Sequence, residues 1–205
     1  MLYCRPHLRE YLPGWRSRAG TNYGDDVTKP ETPQPIQSSF PPLEERINLL
    51  LSEPGMPSIA CAESCTGGNV AARLTSISGS SAYFLGGIVS YSNSAKHALL
   101  DVPDEILESV GAVSAECALA MAEGARHVFD ADITVSTTGI AGPTGATERK
   151  PVGLVYIAIS IQGAHQVEEH RFLGDRTAIT AAATERALEV LFDGIGQLVH
   201  NTTSD

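Results

Sequence analysis

Ser64 stands in Ala62-Glu63-Ser64-Cys65-Thr66-Gly67-Gly68, directly after the apolar run Ser58-Ile59-Ala60-Cys61. That succession of residue types reads as a strand, a tight turn and a helix start. Such a junction leaves peptide N–H groups without intrahelical partners, and the hydroxyls of Ser64 and Thr66 add to them. The turn is therefore suited to a phosphate, a carboxylate or an oxyanion, with Thr66, Gly67 and Gly68 as the contacts, and Ser64 is well presented as a nucleophile. Gly-Gly after a strand also serves simply to turn a chain, and a serine in a glycine-rich loop often only bonds the backbone. The same two readings apply to Ser81, in Gly79-Ser80-Ser81.

A serine needs a base, and Lys96 is the first candidate. Lysine near its ordinary pKa is a poor base, but burial without a carboxylate partner favours the neutral amine. Its neighbours Asn93, Ser94, Ala95 and His97 include no acid. On sequence alone a solvated lysine is the commoner outcome. Tyr91 has a hydroxyl to offer the substrate or the lysine, although an aromatic at a strand end more often packs at the rim. Cys65 has no histidine nearby in sequence to activate it and fits a small turn-packing role.

The elements that must position these groups follow from periodicity. Strands are expected at Pro57–Ala62, Tyr83–Tyr91, Ile133–Thr138, Val152–Ile161 and Val167–Phe172, and helices at Asn69–Ser76, Ala95–Leu100, Ala115–Phe129 and Thr177–Val199. Leu43, Ile47, Leu50 and Leu51 mark an earlier helix that Pro54-Gly55 stops. Alternating strands and helices give parallel pairing, whereas the short Gln162-Gly163-Ala164 link suits a hairpin. The expectation is a three-layer α/β/α sandwich with a mixed, mostly parallel sheet. Ligands of such folds bind at the carboxyl ends of the strands, which places Thr138-Gly139-Ile140-Ala141-Gly142-Pro143 at the site. Arg176 is the best phosphate ligand, because guanidinium meets phosphate oxygens in pairs; the competing reading is a salt bridge with Asp175 or Glu185.

Composition removes other classes. With 14 Lys and Arg against 24 Asp and Glu, the chain lacks the basic surface that nucleic acid requires. No run approaches the roughly 18 apolar residues of a membrane span. The four cysteines, Cys4, Cys61, Cys65 and Cys117, have neither zinc-ligand nor disulfide-framework spacing, so no metal site is expected. Residues 1–44 read as a disordered extension: Ala19–Pro42 is rich in Pro, Ser, Thr and Asp. Met1–Arg18 has the arginine bias of a mitochondrial presequence, but Pro6 and Pro13 interrupt an amphipathic helix. A cytoplasmic protein is expected, with a mitochondrial location as the alternative through that segment.

Seven segments, Ala62–Gly68, Gly79–Phe84, Gly86–Lys96, Gly111–Ser114, Thr138–Pro143, Lys150–Gly153 and Phe172–Arg176, in this order resemble the C-terminal domain of the CinA family, the nicotinamide mononucleotide (NMN) deamidases. The resemblance covers about residues 45–195. It implies an amidase built on serine and lysine, since the family's Tyr-Ser-Asn-x-Ala-Lys motif is intact at Tyr91–Lys96, and it favours Ser81 over Ser64 as nucleophile. It also implies a stand-alone deamidase acting on a mononucleotide, with no cofactor, no nucleic acid, no membrane, and assembly as a homo-oligomer. The family's glycine run after the proline reads Thr144-Gly145-Ala146-Thr147 here, and Ile179-Thr180 stands where relatives often carry a second arginine. A rival reading is a non-catalytic nucleotide-binding or scaffold domain of the competence type.

Distance sets Ser81 against Lys96. A straight strand over Tyr83–Tyr91 would separate them by roughly 30 Å, at about 3.3 Å per residue. Three arrangements resolve this: a bend at Gly86-Gly87, a dyad completed across a subunit interface, or Ser64 as the nucleophile.

Overall fold

Small and apolar side chains let helices cover both faces of β1 (Ile59–Glu63), and all five of its residues are buried. The computed structural model describes residues 41–202 except 54 and 163. β1 pairs in parallel with β2 (Phe84–Val89) on one side and with β3 (Ile133–Gly139) on the other. β4 (Leu154–Ile161) runs antiparallel to β3, and β5 (Ala164–Arg171) antiparallel to β4, giving the order β2-β1-β3-β4-β5. The sheet is mixed, and the carboxyl ends of β1, β2 and β3 share one edge.

Against one face lie α1 (Leu43–Leu51), α2 (Asn69–Thr75) and α6 (Arg176–Thr202), which bury Ile47, Leu74 and Leu188 against Ile59, Val135 and Ile157. α3 (Asn93–Leu100), α4 (Asp104–Ser109) and α5 (Ala115–Phe129) are on the other side, where Leu100, Met121 and Ala125 pack with Ala62. This is the expected three-layer α/β/α sandwich. The α5 face also carries polar ties: Thr134 and Ser136 of β3 donate to the carbonyls of Ala122 and Ala118, at 2.7 and 2.5 Å. Buried hydroxyls are tolerable because each has a partner.

α3, the helix that carries Lys96, is held against α5 by a close backbone approach at Gly124. A Cβ there would lie 2.0 Å from the Leu100 carbonyl oxygen. In an open helix Gly→Ala would gain about 0.5–1 kcal/mol. Here the backbone clash outweighs it, and Gly124→Ala is expected to cost about 1–3 kcal/mol net, as overpacking does. Thermal unfolding should record a Tm lower by about 2–12 °C.

The differences from the sequence expectation are local. α1 begins at Leu43, where the apolar spacing placed the first helix, although Leu50 is exposed; residues 1–40, including the presequence-like segment, lie outside the described residues. β2 has six residues, not the nine of Tyr83–Tyr91, because the chain leaves the sheet at Ser90. α4 was not anticipated: it is six residues long, buries none of them fully, and announces itself only by Pro103 followed by Asp104 and Glu105. Among the described residues, no helix is long and apolar enough to cross a membrane.

Candidate active site

At the shared edge β1 ends and the Ser64 N–H donates to the Thr137 carbonyl of β3 at 2.9 Å. β2 ends beside it, where the Ser90 N–H donates to the Glu63 carbonyl at 2.9 Å. Two residues later Ser92 caps α3, its hydroxyl accepting from the Ala95 N–H at 3.1 Å. The capped turn places Lys96 and Leu100 on the buried face of α3. The Lys96 Nζ then reaches the Ser64 Oγ at 3.0 Å and the Ser90 carbonyl at 2.8 Å.

Lys96 is 1% exposed and Ser64 8%. Burial lowers the Lys96 pKa from its ordinary value. Cys117 and Cys65 lie close enough to oppose that shift if they were thiolates, but burial raises both, Cys65 to about 12. Among the described residues Lys96 makes no salt bridge, so no carboxylate favours its charged form. Its neutral amine can accept the Ser64 proton while an N–H donates to Ser90. The same shift leaves Cys65 a protonated packing residue.

A cavity of about 280 Å³ opens above the pair, lined by Ser64, Tyr91, Asn93, Lys96, Thr138, Gly139, Gly142 and Arg176, among others. Arg176 opens α6 and reaches over it, donating to the Gly142 carbonyl at 2.9 Å and to the Tyr91 hydroxyl at 2.8 Å. Neither competing acid holds it: Asp175 caps the Ala178 N–H, and Glu185 pairs with Arg73. Among the described residues the Arg176 charge is uncompensated by any carboxylate. Thr138 spends its hydroxyl on the Ala112 carbonyl at 2.6 Å, which fixes that wall. A Cβ at Gly139 would meet Leu154 and Val155, and one at Gly142 would meet Val152, so glycine is needed at both. The described residues include no group of three or more His, Cys, Asp or Glu placed to hold a metal ion.

The structure does not bring every candidate to this cavity. Thr66, Gly67 and Gly68 are not in its lining, and the anion expected at the start of α2 is supplied by the chain itself. The buried Glu63 carboxylate accepts from the Thr66 hydroxyl at 2.7 Å and from the N–H groups of Gly68, Val70 and Ala71 at 2.9, 3.1 and 2.9 Å. Ser81 is exposed in a single 3-10 turn (Ser80–Ala82) before β2, whereas Lys96 follows the other end of that strand. Six residues of strand span about 20 Å, so within one chain the lysine meets Ser64 and not Ser81. Two contributors had no role assigned from sequence: Ser90, which acts through its carbonyl, and Glu63, whose only signal was an acid at a strand end just ahead of a Thr-Gly-Gly turn.

Comparison with known proteins identifies the family. The family model of the CinA C-terminal domain matches residues 41–195. A CinA-like protein of Citrifermentans bemidjiense is 51% identical over 149 residues, which is 73% of this chain and 36% of that protein. A CinA-like protein of Geobacter sulfurreducens is 47% identical over the same shares. The chain thus spans about a third of the length of these curated relatives, all bacterial, and they lend no support to a mitochondrial presequence. Among solved structures, the competence/damage inducible protein CihA from Agrobacterium tumefaciens superposes with a TM-score of 0.72 at 42% identity, over 77% of this chain and 98% of that one. A CinA superfamily protein from Klebsiella pneumoniae gives 0.72 at 34% identity, over 76% and 96%. Fold, motifs and relatives agree, and the chain belongs to the CinA C-terminal domain family.

Proposed function

We propose that this domain hydrolyses the carboxamide of NMN to nicotinic acid mononucleotide and ammonia. The observation that carries the reading is the buried Lys96 amine, without a carboxylate partner, 3.0 Å from the Ser64 hydroxyl beneath a cavity whose mouth bears Arg176. Lys96 takes the Ser64 proton as the oxygen attacks the carboxamide carbon. Peptide N–H groups of the glycine loop that lines the cavity, Thr138 to Gly145, stabilise the tetrahedral oxyanion. The protonated lysine then gives its proton to the departing nitrogen, and ammonia leaves an acyl-enzyme ester. Water, deprotonated by Lys96, cleaves that ester and restores Ser64. The pyridinium ring withdraws electrons from the amide, which suits a dyad that has no histidine or aspartate. Arg176 pairs with the phosphate, a contact for which it exchanges its bonds to Gly142 and Tyr91.

Ammonia release from NMN by the purified protein tests the reading, and turnover should persist in EDTA because no step uses a metal. A charge-assisted bond is worth about 1.5–3 kcal/mol. Arg176→Ala should therefore raise KM for NMN about 10- to 100-fold, with little effect on nicotinamide riboside, which lacks the phosphate. Binding of NMN without ammonia release from the wild type would instead support a nucleotide-binding scaffold.

A further inference from the structure

We infer that Glu63 is the positioning residue that holds Ser64 in attacking geometry, an inference that rests on the reading of Ser64 as nucleophile. Glu63 is peptide-bonded to Ser64 and 1% exposed. Among the described residues no cation pairs with it. A buried carboxylate is costly unless other donors replace water. Here the donors come from the turn and from α2: Thr66 Oγ1, Gly68 N and Val70 N converge on Oε2, while Ala71 N, and Cys61 Sγ at 3.6 Å, approach Oε1. Every contact donates, so both oxygens must accept.

The network continues into the site. The one proton of the Thr66 hydroxyl goes to Glu63, so Thr66 accepts from the Thr137 hydroxyl 2.6 Å away. Thr137 also accepts the Ser64 N–H through its carbonyl. The side chains of Cys61 and Glu63 share one face of β1, towards α2, and Ser64 turns the opposite way, towards Lys96. Glu63 therefore ties the Ser64 turn to α2 on one side and to the end of β3 on the other. A displacement of about 1 Å at a reacting oxygen is enough to cost roughly 100-fold in rate. By filling the start of α2 with its own anion, Glu63 also leaves Arg176 as the cation for an incoming phosphate.

The test is Glu63→Gln, which keeps the shape but turns one acceptor into a donor facing other donors. The probe is a biotin-linked alkyl fluorophosphonate, which reports on Ser64 without any need for NMN turnover. The serine oxygen bonds to phosphorus, the P–F bond breaks, fluoride leaves and the proton passes to Lys96. Wild type should be labelled at Ser64. Folded Glu63→Gln should be labelled about 10- to 1000-fold more slowly, with kcat for NMN reduced in proportion, KM within about 3-fold and the pH midpoint unmoved. Thr66→Val, which removes the hydroxyl bridge from Glu63 to Thr137 but leaves the three peptide N–H donors on Glu63, should show a smaller loss of the same kind and decides the matter if Glu63→Gln does not fold. Wild-type labelling rates in folded Glu63→Gln, or in Thr66→Val where Glu63→Gln is unfolded, overturn the inference. Slowed labelling in a protein that never releases ammonia from NMN would sustain Glu63 and overturn the substrate instead.

Discussion

Ser64→Ala is expected to reduce ammonia release from NMN by about 10³- to 10⁶-fold, the range seen when the nucleophile of a covalent hydrolase is removed. Ser81→Ala should stay within about 3-fold, because Ser81 is exposed at the edge of the sheet away from Lys96. The contrast follows from the bond between Lys96 and Ser64, which closes within one chain across 32 residues. Mixing Ser64→Ala subunits with Lys96→Met subunits should then restore no activity under verified exchange, since each chain would need both groups. An inactive Ser81→Ala beside an active Ser64→Ala would move the nucleophile to Ser81. Rescue on mixing would place the dyad across an interface.

Much of this site was legible as parts and illegible as a pair. The strand, turn and helix around Ser64 follow from residue types within a dozen positions, and so does the helix that carries Lys96, whose Ser92 cap only the structure shows. What joins them is long-range: β1 and β2 run parallel, so residues just beyond their carboxyl ends meet although the whole of β2 and α2 intervenes. The strand-length argument already made Ser81 and Lys96 poor partners, and shortening β2 to six residues leaves them at opposite ends. The start of α2 was recognisable as an anion site, but its occupant was not. Glutamate is almost never fully buried, so Glu63 reads in sequence as a surface acid and not as the anion itself. Arg176 posed the reverse difficulty, because Asp175 and Glu185 stood near it in sequence; each is engaged elsewhere, at Ala178 and Arg73, which only the folded chain reveals.

Lys96→Met should be as inactive as Ser64→Ala, again by about 10³- to 10⁶-fold, while folding and binding NMN. Lys96→Arg should be equally inactive, since a guanidinium keeps the charge but yields no proton acceptor near neutral pH. In the wild type, kcat/KM should rise with pH through the lowered Lys96 pKa, as the protonated amine gives way to the neutral base. Stability should carry the same signature. Between that lowered value and the ordinary 10.5, the unfolded chain keeps a proton that the folded chain has shed, so unfolding free energy rises with pH across this interval. Below it both states are protonated, and the folded state bears the full cost of burying a cation. Methionine at this position removes that cost, so Lys96→Met should melt higher than wild type below the lowered pKa, with the advantage narrowing as pH climbs towards 10.5. Calorimetry of the two proteins across the alkaline range measures the difference. Turnover by Lys96→Arg at the wild-type rate, or a pH-independent gap in Tm, would remove Lys96 from the role of buried base.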